Sequence, residues 1–265
     1  MLYLHNKTSY YEDNKIGYGI NIDNPRIGML SSPCEYLTLD AFNKGVRKSS
    51  TNKQFDYWLP ILIKSDDWKN IHEEFINRIN KICQIISLDK ADLHAKVFKI
   101  CSSIMNTLVV EIMNNKNNIS MNDKFIDGYF AIYRLLKMFA FEDDKLVKYT
   151  NNTLENFIKN PEKRTKQYVP NLGELLMFLT ISDKYKWNDI NNYFLEESDT
   201  RGVFWYAVGN YNNPVKYHEL INTSIKERAA KVFSVNETSR NLVLYQVKFS
   251  SKAVNLTLDV LDSNN

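Results

Sequence analysis

Cysteine is too sparse and too scattered in this chain to build a framework. Cys34, Cys83 and Cys101 are an odd number, far apart, with no C-x-x-C pair. That spacing supports neither a disulfide scaffold nor a zinc site. Histidine is as thin: His5, His72, His94 and His218 stand alone. The nearest approach to a zincin helix is His72-Glu73-Glu74-Phe75-Ile76, and Ile76 stands where the second ligand must be. Glycine numbers only eight. Gly17-Tyr18-Gly19 lacks the third glycine and the βαβ context of a phosphate cradle, so it reads as a turn before a short strand. No G-x-S-x-G elbow occurs. The carboxylate pairs Glu73/Glu74, Asp143/Asp144 and Glu196/Glu197 are adjacent. On a helix they point about 100° apart, not toward one another as acid and base. Nothing calls for a metal or a cofactor.

Long apolar runs are missing too. No window reaches the roughly 18 uncharged apolar residues of a membrane span. Met1 to Asn14 has no apolar stretch of signal-peptide length. The expectation is a soluble, intracellular, cytoplasmic protein. Charge of one sign is also lacking: the net charge is +3, and Lys is interspersed with Asp and Glu as on a solvated helical surface. This disfavours nucleic acid as a partner, since such binders gather basic residues on one face. The densest basic stretch, Lys159 to Lys166, is broken by Asn160, Pro161 and Glu162.

What the chain has is enough apolar material to fold unaided. It is 44% hydrophobic and 13% aromatic over 265 residues, a size that buries roughly 70–75% of the unfolded surface. Asn, Lys and Ile make up about a third of it, well above average usage. All three have A/T-rich codons, which points to nucleotide bias in the source. Asn114 to Asn118 and Asn151-Asn152 therefore read as loop padding.

Residues 1–64 form an irregular segment packed on the body. They carry short apolar or alternating pieces at Tyr18 to Ile22 and Phe55 to Leu59, broken by Pro25, Pro33, Pro60 and four glycines. Residues 65–265 form the helical domain, the whole being one globular unit. Ser65, Asp66 and Asp67 suit a helix start. Stripes at three- and four-residue steps follow. They run from Trp68 to Ile86, Leu93 to Met113, Phe125 to Phe139, and more weakly Leu146 to Ile158. Cys83 and Cys101 lie on these stripes, which makes them core residues; Cys34 is the one thiol left as a nucleophile candidate. Asn171 caps a fifth helix through Leu179. Shorter helices are predicted over 188–197, 201–208 and 223–232. Residues 241–261 read as helix or strand. The fold class is mainly α: an irregular multi-helix bundle with a short strand-containing N-terminal segment.

One segment is dense in interface chemistry. Asp183 to Tyr206 crowds Trp187, Trp205 and other aromatics among Lys184, Glu196, Glu197 and Arg201. Aromatic and Arg side chains anchor many interfaces. Two tryptophans filling a helix junction explain the same composition. These six residues are the candidate partner surface.

The same segment takes part in a resemblance. It is carried by Leu172-Gly173-Glu174-Leu175-Leu176, Ser182-Asp183-Lys184-Tyr185-Lys186-Trp187 and Leu195-Glu196-Glu197-Ser198. Tyr18 to Ile22, Gly45-Val46-Arg47 and Trp58-Leu59-Pro60 add to it. These stretches resemble a helical accessory region of large ubiquitin-conjugating proteins of protists, fungi and giant viruses. In those proteins the region is attached to a conjugating core, sometimes with a RING. The chain departs from that pattern: no His-Pro-Asn turn precedes a cysteine, and RING cysteine spacing is absent. The resemblance implies the accessory part without ligase machinery, and it carries over no functional residue.

The function expected is a non-enzymatic protein-interaction or scaffold module associated with ubiquitin transfer, with a protein partner. Two other readings stand beside it: an enzyme whose site is assembled from dispersed polar residues, and a weakly basic nucleic-acid-binding protein.

Overall fold

A computed structural model describes residues 15–24, 29–30, 35–49, 52–114, 119–209, 214–224, 226–228, 230–231 and 237–263. Cys34, His5 and the Asn115 to Asn118 run lie outside these residues, as does part of 223–232. The chain forms two compact units: Met1–Leu146 with Leu256–Asn265, and Val147–Asn255. The fold is mainly α, with a three-stranded and a two-stranded antiparallel sheet near the start.

In the first unit, β1 (Ile16–Ile20) is the middle strand between β4 (Glu35–Thr38) and β5 (Tyr57–Pro60). Tyr18 sits opposite Tyr36 on one side and Leu59 on the other. A two-stranded pair, β2 (Ile22–Asn24) and β3 (Met29–Leu30), follows it. Gly17 has a packing role, not an anion-binding one. A Cβ there would lie 2.3 Å from the Leu59 carbonyl oxygen and 2.4 Å from the Trp58 ring. Trp58, fully buried, donates its indole N–H to the Leu37 carbonyl at 3.0 Å. Gly17 thus makes room for the Trp58 ring, and Gly19 for the Phe55 and Leu37 side chains. Thr38 then caps the short helix α1 (Leu39–Asn43), its Oγ1 accepting from the Ala41 amide at 3.1 Å. The sequence reading contained no helix there.

Helices α2 (Trp68–Ile85), α3 (Leu93–Asn114) and α4 (Ile119–Glu142) complete this unit's body. Trp68, Ile71, Phe75, Ile79, Ile82 and Cys83 are all buried, the stripe that three- and four-residue spacing requires. The start of α2 differs from expectation. Ser65–Asp67 is a 3-10 turn, and Asp67 makes no side-chain capping bond. The Ser65 amide instead donates to the Asp262 carboxylate at 3.2 and 3.3 Å. Among the described residues, α3 is the one helix long and apolar enough to cross a membrane, more apolar than the sequence reading allowed. Its most apolar window is 67% buried inside the protein, as for a core helix packed on α4. Gly128 of α4 lets the helix pack against the sheet: a Cβ there would meet the Tyr18 hydroxyl at 1.6 Å.

The second unit takes over within the first turn of α5 (Asp144–Lys159). Asn151 and Asn152, expected in a loop, are helical. At the centre is α6 (Leu172–Ile181), buried from Leu175 to Ile181. Asn171 caps it as predicted, its side chain accepting from the Gly173 amide at 2.8 Å. Against it pack α7 (Trp187–Gly209) and α9 (Glu237–Ala253), and α8 (Pro214–Ile221) packs against α7, while α10 (Leu258–Ser263) belongs to the first unit. One expectation is corrected: the pair of helices at 188–197 and 201–208 is one continuous helix. The tail at 241–261, open between helix and strand, takes the helical alternative in both of its elements.

Candidate functional site

The turn that leads into α7 is built by side chains. The Ser182 hydroxyl accepts from the Tyr185 amide at 2.8 Å and the Lys184 amide at 3.2 Å, and donates to Asn151 Oδ1 at 2.7 Å. Asn151 Nδ2 in turn donates to Asp183 Oδ1 at 2.7 Å. Asp189, in the first turn of α7, accepts from the Lys186 amide at 2.7 Å. That is the reciprocal half of a capping box. These bonds fix where Trp187, the first helical residue, is held.

Trp187 is half-buried. Its ring meets Phe194, fully buried, at 5.5 Å and 67°. Its open side lines a cavity of about 220 Å³ with Leu179, Val247 and Val254 as apolar walls. Lys186, Asn188, Ser250 and Ser251 stand at its edges. One apolar side chain of a partner fits such a space; a drug-sized ligand needs roughly 300 Å³ or more.

The charged members of the segment are spent on holding the unit together. Arg201 donates Nε to Glu197 at 2.7 Å and Nη2 to the Arg164 and Val169 carbonyls at 2.9 and 2.7 Å. Both side chains of the Arg201–Glu197 pair are only 13% exposed. Arg164 donates to the Phe157 and Ile158 carbonyls at 2.7 and 2.8 Å and to Glu196 at 3.1 Å, and lies over the Tyr193 ring. Arg228 pairs with Asp199 and reaches the Ile221 and Thr223 carbonyls. Sequence reasoning singled out Arg201 and missed its partners, because a carbonyl acceptor leaves no mark on residue identity. The basic stretch Lys159 to Lys166 is explained the same way: Lys159 pairs with Glu155 and Arg164 closes the turn.

Lys184 and Glu196 are exposed, Glu197 and Arg201 half-buried. Lys184 pairs with Glu155 at 3.2 Å and lies over the Tyr185 ring. Hydrogen bonds to Tyr185 and Glu155 raise its pKa. Hydrogen bonds from Lys159 and Lys184 hold the Glu155 carboxyl down at about 2. Trp205 falls within α7, and its side chain is outside the described residues. The six candidates therefore divide. Trp187 opens on a cavity, Lys184 and Glu196 lie on the surface, and Glu197 and Arg201 form an internal clamp.

Cys83 and Cys101 are buried and free. Burial raises the Cys83 thiol to about 11 and the Cys101 thiol further. A thiol held that high is a poor nucleophile at neutral pH. Among the described residues, no group of three or more His, Cys, Asp or Glu is placed to hold a metal ion. No family model, curated protein or solved structure matches the chain.

Proposed function

We propose that the chain is a non-enzymatic protein-interaction module that works beside ubiquitin transfer, and that its second unit offers Trp187 to the partner. The observation that carries this reading is the apolar cavity beside a half-buried tryptophan that a network of side-chain bonds holds in place. A large, rigid, partly exposed aromatic next to an apolar recess is the arrangement from which interface anchors are made. The partner side chain that fits is aliphatic, and Lys186 at the edge favours a neighbouring carboxylate or carbonyl on the partner. The ubiquitin setting rests on the resemblance of Leu172 to Leu176, Ser182 to Trp187 and Leu195 to Ser198 to the accessory region of large conjugating proteins.

The test uses the immobilised full chain, with free ubiquitin and a ubiquitin-charged conjugating enzyme as two separate probes. Binding of either probe, weakened about tenfold by Trp187→Ala, a loss of about 1.4 kcal/mol, is the expected result. Binding that is indifferent to Trp187→Ala places the surface elsewhere. Binding of neither probe removes the ubiquitin setting.

A further inference from the structure

We propose that the first unit carries a binding site for a short apolar segment bearing a carboxylate, and that Leu258–Ser263 occupies it in cis as a releasable strap. Arg134 of α4 is the reader. Its side chain is 4% exposed, and each donor has a distinct task. Nε donates to Asp262 Oδ1 at 3.0 Å, Nη2 to the Leu261 carbonyl, and Nη1 to the Leu62 carbonyl at 3.0 Å. The last bond fixes the guanidinium to the body, and the first two read the strap. The Ser65 amide adds bonds to both Asp262 oxygens. Leu261, 5% exposed, fills the apolar part. A guanidinium held by its own unit and presenting two donors to a Leu-Asp pair is complementary in charge and in shape to that pair. The Ser65 hydroxyl beside it is buried and has no hydrogen-bond partner among the described residues, so the site holds one donor in reserve.

The strap is built to come off. Its helix has six residues, far fewer than an isolated helix needs to persist. Asp259, Val260 and Ser263 face solvent. The Asp262 carboxylate is 31% exposed, so water reaches the ion pair. Asn255 and Thr257, just before the strap, are exposed. The contacts that hold it include the Leu261 side chain, the Leu261 carbonyl and the Asp262 carboxylate, and a segment of the same pattern in another chain competes for them.

The experiment uses the full chain and a fluorescent peptide of residues 256–263, Leu-Thr-Leu-Asp-Val-Leu-Asp-Ser. In native-state hydrogen exchange, the Leu261 amide, bonded to the Thr257 carbonyl at 3.0 Å, is followed against amides of α3. We expect it to exchange at least about 100-fold faster than the α3 core, the signature of local release. The peptide should bind the Asp262→Asn chain at least about tenfold tighter than the native chain, since its own strap then competes less. A peptide carrying the Asp262→Asn change should bind neither. Leu261 exchange as slow as that of α3 overturns the proposal, and so does a peptide that binds neither chain. If the Asp262→Asn chain fails to fold, the Leu261→Ala chain replaces it as the weakened strap, and the exchange measurement on the native chain stands unchanged.

Discussion

Three arginines of the second unit, Arg164, Arg201 and Arg228, work alike: each ties a carboxylate of α7 to backbone carbonyls of a turn. Charge-assisted bonds of this kind are the strong ones, and removing the donor strands buried acceptors. Arg201→Ala should therefore cost about 2 kcal/mol of stability, read as a lower denaturant midpoint at unchanged slope. Arg201→Lys should recover little of it, because a single ammonium does not reproduce the guanidinium fork. Trp187→Ala should cost less than the about 3–5 kcal/mol of a fully buried tryptophan, since one side of the ring faces the cavity. Glu155 offers a direct electrostatic check. Its carboxyl titrates near 2 instead of the ordinary 4.5, drawn down first by the Lys159 bond and then by Lys184. A depressed carboxylate contributes stability that is complete above the ordinary value and is lost as pH falls from there toward 2. In Lys184→Ala the Glu155 side-chain carbon signal, followed by NMR, should titrate at a higher pH than in the native chain. An unmoved midpoint would show that Lys184 does not hold the carboxylate.

Among the elements, the long helices were legible because their stripes are long. Trp68 to Ile86 shows the same face many times over, and all its members are buried. The Asn171 cap was legible because a cap is local chemistry: one side chain, one amide two residues on. Its loss in Asn171→Ala should cost about 1 kcal/mol, measurable by thermal melting. The continuity of α7 was not legible. Gly202 and the charged run before it suggest a break, yet Arg201 anchors that turn to carbonyls of the loop between α5 and α6, and tertiary bonds override local propensity. The tail stayed open between helix and strand for a related reason: Val247 and Phe249 alternate, while Val247, Ser250, Ser251 and Val254 share one helical face along the cavity. Ser250, a buried serine at 4% exposure, blurs the helical period. Gly128 is the sharpest test of packing between elements. Its added Cβ would displace the fully buried Tyr18 ring, so Gly128→Ala should destabilise by about 1–3 kcal/mol despite alanine's better helix propensity. Unchanged stability would mean that α4 and the sheet are not packed so closely.

At the scale of the whole molecule, the first unit takes residues from both sides of the second along the chain. No stripe or cap announces such an arrangement, because it depends on a pairing between Arg134 and Asp262, 128 residues apart. The candidate site was only half legible for the same reason. The aromatic density from Asp183 to Tyr206 singled out Trp187, but the walls of its cavity come partly from Val247 and Val254, distant in sequence. The dependence of the first unit on its last segment gives the final prediction. Leu261 is 5% exposed and is the one strap side chain buried in that unit. A buried leucine truncated to alanine loses transfer energy and leaves a void, together about 2–5 kcal/mol where the site stays rigid. A strap in exchange with an open form limits that loss, because the open form lacks the leucine contact already and becomes the reference state. Leu261→Ala should therefore lower the unfolding free energy by less than about 2 kcal/mol, while the amide of residue 261 exchanges faster, at most by the factor with which the closed native strap slows it. Denaturant melts and exchange on one variant separate these two quantities. A loss above about 4 kcal/mol in the melt would show a fixed core element where the contacts describe a detachable one.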